Sequence, residues 1–368
     1  MILMIVAVIH LSERRPLDFL RLVRLFCKAI GVVGWIGVAE FVANNLAGGR
    51  VVDFGVIAKI TGAFGYWDGG QASRQMIRST SIASEPSTLG LTMSTAFGLA
   101  LVRLGVVGRT AGDALRPLMP RWAALGTVGG LLTSFALVGY SAALFCLAAL
   151  AMLTAPRRFF LICGAVLVLA IAVVGPAVVQ IVSFRGLPML ERLQFFLDFA
   201  NFGIYAVDSF KTADLDAIII IANAAVALQN LLLDPLVGAG FGAHPAAYLN
   251  SVPALAYAKG YALNNEDASG LLLRLISETG ILGVTAFLVG VVRLAIRLQR
   301  RLRLRDPLIR ALALGFGASL LATTFLHLAR VGAYYWPPYW IMLALAAGAT
   351  VWRSPYPVPA QSSGSVNH

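Results

Sequence analysis

The residues able to do chemistry in this chain lie in a few short stretches. NNEDASGLLLRLISETGILG places Arg274 and Glu278 four residues apart, so on a helix they share a face and can pair. In an ordinary helix that is a plain salt bridge. Here the two charges open an apolar stretch long enough to cross a bilayer, and ionisable groups in such a place usually face a cavity or a partner. Gly280 and Gly283 follow and would permit close helix packing. Upstream, DPLVGAGFGAHP offers Gly238, Gly240 and Gly242 for tight turns and close backbone approach. It is not a dinucleotide loop, because the strand–turn–helix context is missing and the third glycine comes one position early. His244 stands just after it and is a candidate base, although a lone histidine is more often structural.

Two further stretches bring guanidiniums. FRGLPMLERLQFF carries Arg185 and Arg192, whose spacing of seven would put both on one helix face. They could hold an anionic substrate, or only snorkel and pair with lipid phosphate. RQMIRSTSIASEPSTLG sets Arg74 and Arg78 shortly before Glu85-Pro86-Ser87. Ser84 could cap a helix starting there, with Pro86 in its first turn and Glu85 favoured by the helix dipole. The same N-terminus would also be a ready anion site, which keeps Arg78 and Glu85 among the candidates. Asp214-Leu215-Asp216 matches the pattern by which many nucleotide-sugar glycosyltransferases hold a metal. Two carboxylates at that spacing arise easily by chance, and the topology below puts them where nucleotide sugars are absent. With no His/Cys cluster, no phosphate-binding Gly-Lys-Ser/Thr loop and no Ser-His-Asp set, neither a metal nor another cofactor is expected.

The elements that must position these residues are membrane helices. Of 368 residues, 59% are apolar and only 12% are charged, and the mean hydropathy is +0.81. A soluble domain carries roughly 25% charged residues, so a water-soluble enzyme is excluded. Apolar runs that can cross a core of roughly 30 Å lie near 29–47, 87–106, 159–183, 271–292, 309–328 and 333–351. The run 122–154 is too long for one crossing and is interrupted by Ser134, Tyr140 and Ser141, so it reads as a tight pair of helices. Met1 to Leu11 is apolar but about half a span, and Arg14 and Arg15 come after it rather than before. That order is unlike a signal peptide and predicts a truncated first helix or a half-span. The expected fold is an all-α polytopic membrane protein of about eight to nine transmembrane helices. It forms one transmembrane domain over 1–353, followed by a tail, 354–368, of disorder-type composition. Cys27, Cys146 and Cys163 lie far apart within or beside apolar runs and suggest neither a disulfide framework nor a metal site.

Basic residues orient the helices. Segments 11–28, 103–121, 155–158, 293–310 and the tail from 352 hold 19 of the 29 basic residues and four of the 17 acids (Glu13, Asp18, Asp113, Asp306), a net +15 that leaves −3 elsewhere. All the positive excess is then on one side, and the overall +12 reflects the membrane rather than nucleic acid. Ala217 to Leu233 could pass for a further crossing, but it would turn Arg293, Arg297, Arg300, Arg301, Arg303, Arg305 and Arg310 to the outside. It is therefore expected to lie along the outer surface or to fold under a loop. Extracytoplasmic loops at about 48–86 and 184–270 result; the second is long enough to suggest function and is expected to contain short helices.

Asp234–Gly242 (DPLVGAGFG), followed by Leu271–Gly283 (LLLRLISETGILG), resembles the signature of the O-antigen ligase and polymerase superfamily. There a Pro-Leu-x-Gly-x-Gly-x-Gly turn precedes a helix of the type Leu-x-Leu-Leu-x-Glu-x-Gly-x-x-Gly. Ser84-Glu85-Pro86-Ser87, preceded by Arg78, resembles the Ser-Glu-Pro-Ser element of its polysaccharide polymerases. The resemblance spans about 75–295 and includes the order of elements. It implies a metal-independent, inverting glycosyltransferase of the bacterial inner membrane, facing the periplasm. Such an enzyme moves glycan from an undecaprenyl-diphosphate-linked oligosaccharide to a sugar hydroxyl. Arg78, Arg185, Arg192 and Arg274 would hold the diphosphate, and Glu278, Glu85 or His244 would take the hydroxyl proton. Membrane lipids are expected partners and a chain-length regulator a further candidate, with no nucleic acid. Ligases of the group carry a His-Asn pair nine residues before the signature Glu, where this chain has Ser269 and Gly270; that favours a polymerase. Members often also have an Arg about fifteen residues before the Pro-Leu-Gly turn, where this chain reads IIIIAN. The other readings are a ligase acting on a lipid or protein acceptor and a transporter or flippase. Against the last, Glu40 is the only acid well inside a crossing and no internal repeat is present.

Overall fold

The computed structural model describes residues 2–48, 51–52, 81, 86–155, 215–251, 268–330 and 336–353. Every regular element among them is a helix: α1 (Ile2–Arg14), α2 (Pro16–Leu46), α3 (Pro86–Arg103), α4 (Arg109–Ala114), α5 (Arg121–Thr133), α6 (Leu137–Thr154), α7 (Leu215–Leu233), α8 (His244–Ser251), α9 (Leu271–Arg301), α10 (Pro307–Arg330) and α11 (Pro337–Val351). Among the described residues, three helices, Pro16–Leu46, Leu271–Arg301 and Pro307–Ala329, are long and apolar enough to cross a membrane. The apolar run 159–183, the arginines 74, 78, 185 and 192, Ser84, Glu85, Asp214, Cys163 and the tail from 354 lie outside the described residues.

The chain divides into two compact units: 1–154 with 293–323 and 337–368, and 155–292 with 324–336. In the first unit α2 packs along α5, α3 lies against α5 and α6, and α1 against α11. Small residues set the first of these approaches. A Cβ on Gly31 would stand 2.5 Å from the Ala123 Cα, and one on Gly34 would overlap the Gly126 carbonyl. Trp35 closes this seam by donating from Nε1 to the Trp122 carbonyl at 2.8 Å. Proline at the first helical position starts α2, with Asp18 in its first turn, as the missing N–H and the dipole favour. The helix therefore begins well before the apolar run at 29–47.

The 122–154 run is two helices, α5 and α6. They part at Ser134–Ala136, where Phe135 adopts φ 44° and stacks on Phe41 at 5.4 Å between ring centroids. Ser134 Oγ donates to the Leu131 carbonyl at 2.7 Å, and Tyr140 Oη donates to the Leu132 carbonyl at 2.8 Å. Side chains thus add donors to carbonyls in the last turn of the ended helix. At the far end of α9, Arg301 serves α11 in the same way, donating from Nε to the Thr350 carbonyl at 2.7 Å and from Nη1 to the Trp352 carbonyl at 3.2 Å. Asp306 caps α10, its Oδ1 accepting from the Leu308 amide at 2.8 Å and the Ile309 amide at 3.1 Å. Cys27 and Cys146 are buried free thiols.

Candidate functional site

The second unit holds the candidate site. Helix α9 is not continuous: Gly280 adopts φ 57° and ψ −158° inside it, a region essentially reserved for glycine. The break frees carbonyls before it and amides after it, which in an apolar setting must find partners. Residues 235–240 supply them. The Ala239 amide donates to the Ser277 carbonyl at 2.9 Å and the Gly240 amide to the Glu278 carbonyl at 3.0 Å. Beyond the break, the Ile281 amide donates to the Pro235 carbonyl at 3.0 Å and the Leu282 amide to the Leu236 carbonyl at 3.1 Å. One loop therefore satisfies both helix ends.

Glycine makes the approach possible. A Cβ on Gly238 (φ +65°) would stand 2.7 Å from backbone atoms of Glu278, Thr279 and Gly280. One on Gly280 would stand 2.7 Å from the Pro235 and Leu236 carbonyls. Gly240 and Gly242 also have positive φ, +99° and +77°, but open space around them, so they serve the turns alone. Among the described residues, the close neighbours of Gly280 and Gly283 are a loop and a residue of the same helix. Gly280 admits the loop, and a Cβ on Gly283 would overlap Thr279 of its own helix.

Arg274 and Glu278 pair as the spacing predicts: Arg274 Nε donates to Glu278 Oε1 at 3.2 Å, and the residues are 8% and 1% exposed. The His244 amide, at the start of α8, also points to Oε1, at 3.4 Å. The other oxygen, Oε2, is buried and accepts no hydrogen bond among the described residues. A carboxylate oxygen in that position is ready to accept from a bound hydroxyl.

His244 is fully buried. Its Nδ1 lies 2.8 Å from Ser277 Oγ and its Nε2 lies 2.9 Å from Asn223 Oδ1. Asn223 Nδ2 donates to Ser269 Oγ at 3.0 Å, and Asn230 Nδ2 donates to Ser277 Oγ at 2.7 Å. Burial and, second, the charge of Arg274 hold the imidazole well below its ordinary range, at about 4, so it is neutral at pH 7.

Sequence reasoning missed Asn223, Asn230, Ser269 and Ser277. A signal was present. Asn223 and Asn230 are seven apart in a largely apolar helix, hence on one face, and they line the side of α7 that meets His244 and α9. Glu85, Arg78, Arg185 and Arg192 lie outside the described residues. Among the described residues no group of three or more His, Cys, Asp or Glu could hold a metal ion. The chain matches no protein-family model, and no curated protein matches it in sequence.

Proposed function

We propose that this protein is a membrane glycosyltransferase that polymerises undecaprenyl-diphosphate-linked oligosaccharide repeat units into surface polysaccharide on the outer face of the bacterial inner membrane. One observation carries the reading. The two stretches that resemble the O-antigen ligase and polymerase signature meet backbone to backbone around Gly280, with the buried Arg274–Glu278 pair at their junction. In the proposed step the acceptor hydroxyl donates to Glu278 Oε2 and transfers its proton there as its oxygen bonds the anomeric carbon. The bond from that carbon to the diphosphate breaks, and its electron pair leaves on the diphosphate. Attack opposite the leaving group inverts the centre. A placed base contributes about 10²–10⁴-fold. Fixed guanidiniums stabilise the leaving charge, in general the largest catalytic effect, and Arg is the side chain best matched to phosphate. Arg274 is beside the base; Arg78, Arg185 and Arg192 are the further candidates.

A transporter would also use a broken helix, exposing its free ends to substrate. Here the loop 235–240 already occupies those ends, which weighs against that reading. With Arg293 at the cytoplasmic edge, as the distribution of basic residues suggests, roughly 20 Å of helix would put the break towards the outer side of a bilayer core of roughly 30 Å.

The test is the surface glycan ladder of a deletion strain, with carrier-linked glycan measured alongside, complemented by wild type, Arg274→Ala or Glu278→Gln at matched expression. Single repeat units in place of long chains, unrelieved by either variant, are expected. Long chains held on the carrier would make the protein a ligase. Full-length polymer in the deletion strain would refute the assignment.

A further inference from the structure

The hydrogen-bond pattern around His244 assigns that residue a different role from the proton acceptor its sequence position suggests. Asn223 turns its amide nitrogen to Ser269 Oγ, which leaves Oδ1, an acceptor only, facing His244 Nε2 at 2.9 Å. Nε2 must then carry the proton. On the other side, Asn230 donates to Ser277 Oγ, leaving the serine's own proton for His244 Nδ1 at 2.8 Å. Both ring nitrogens are thus engaged within the protein, with no lone pair left for a substrate proton. Among the described residues, the groups around the ring are the neutral amides of α7, Ser277, Arg274 and Glu278 of α9, and Tyr248 of its own helix, 6.5 Å between ring centroids. Arg274 disfavours an imidazolium, in keeping with the depressed pKa.

We propose that His244 is a positioning residue, held as the neutral Nε2-protonated tautomer. Through it Asn223, Asn230 and Ser277 fix the loop Asp234–Ala243 to the broken helix, so that Glu278 offers Oε2, not Oε1, to the acceptor hydroxyl. The geometry is direct. The same residue that bridges α7 and α9 through its ring presents its backbone amide to Glu278 Oε1, and the loop before it bonds the Ser277 and Glu278 carbonyls. Loosening the ring therefore loosens the loop, and with it the side of the carboxylate that Arg274 and the amide hold. The role in catalysis rests on the glycosyltransferase reading; the tautomer and the network do not.

Two measurements on the full chain test this. Side-chain nitrogen NMR of histidine-labelled protein in lipid nanodiscs, with His244→Gln identifying one resonance set among the four histidines, reads the tautomer. A protonated Nε2, an unprotonated Nδ1 and no titration between pH 7 and 5.5 are expected. An Nδ1-protonated ring, or an imidazolium at pH 6, overturns the proposal. In a transfer assay with a lipid-diphosphate-linked repeat unit, His244→Ala should lower kcat about 30-fold or more at nearly constant KM. His244→Gln, which can still donate to Asn223, should recover to within about fivefold with the wild-type pH profile. Equal loss in both variants, together with loss of a wild-type inflection, would make His244 the base and overturn the proposal. Intact transfer by Glu278→Gln beside the expected tautomer would instead sink the glycosyltransferase role of Glu278 and leave the network standing.

Discussion

Replacing Gly280 by alanine should unlatch the loop Asp234–Ala243 from α9. Two effects add. Alanine at φ 57°, ψ −158° is strained by about 1–3 kcal/mol. Its Cβ would also stand 2.7 Å from the Pro235 and Leu236 carbonyls, backbone atoms that cannot swing aside as a side chain end would, and such overpacking costs a further 1–3 kcal/mol or so. The sum, about 2–6 kcal/mol, is comparable with the four backbone hydrogen bonds across the break at about 1 kcal/mol each. Local detachment is then the easiest relief. The control is Gly240→Ala, where φ is also positive, +99°, but nothing lies within 4 Å, so only backbone strain applies. Hydrogen–deuterium exchange reads the difference directly. The Ile281 and Leu282 amides, which donate to the loop, should exchange about 30-fold faster or more in Gly280→Ala and much less so in Gly240→Ala. Equal acceleration in the two variants would refute the close-approach argument.

Two further outcomes follow, one from the site and one from helix packing in the first unit. Because the His244 pKa falls from 6.5 to about 4 in the folded protein, its contribution to stability is complete above pH 6.5 and is lost as the pH falls towards 4, as the unfolded ring takes up a proton first. At about 1.4 kcal/mol per unit the loss reaches about 3 kcal/mol; exchange at the Ala239 and Gly240 amides should accelerate across that window in wild type and lose the acid-side rise in His244→Gln. In the first unit, Gly34→Ala would drive a Cβ into the Gly126 carbonyl and part α2 from α5, whereas Gly290, in the second unit, has open space around it. Unfolding in detergent should show Gly34→Ala destabilised by about 1–3 kcal/mol and Gly290→Ala stabilised by about 0.5–1 kcal/mol; shifts of the same sign would contradict the packing described.

The helical class was legible because long apolar runs dominate the chain, and the break between α5 and α6 because Ser134 interrupts a run too long for one helix. The Arg274–Glu278 pair was legible because spacing of four fixes a shared face. The discontinuity of α9 was not. Gly280 in a helical pattern is also what helix packing would select, and only the loop's arrival at that point, set by tertiary structure, separates the two uses. Asn223 and Asn230 were visible as polar interruptions of an apolar helix, but their partners Ser269 and Ser277 lie more than forty residues away, beyond any local pattern. The start of α2 at Pro16 was hidden because hydropathy marks the apolar stretch rather than the helix containing it.

The latch at Gly280 also has an order in time. Residues 235–240 are synthesised before α9, and they carry the carbonyls and amides that its interrupted backbone requires. When α9 enters the bilayer, its partner is already on hand, so the exposed ends need not linger in lipid. Reversing that order, by a permuted chain that makes α9 first, would leave the break to be translocated bare, and the penalty would show in insertion efficiency rather than in the stability of the finished protein.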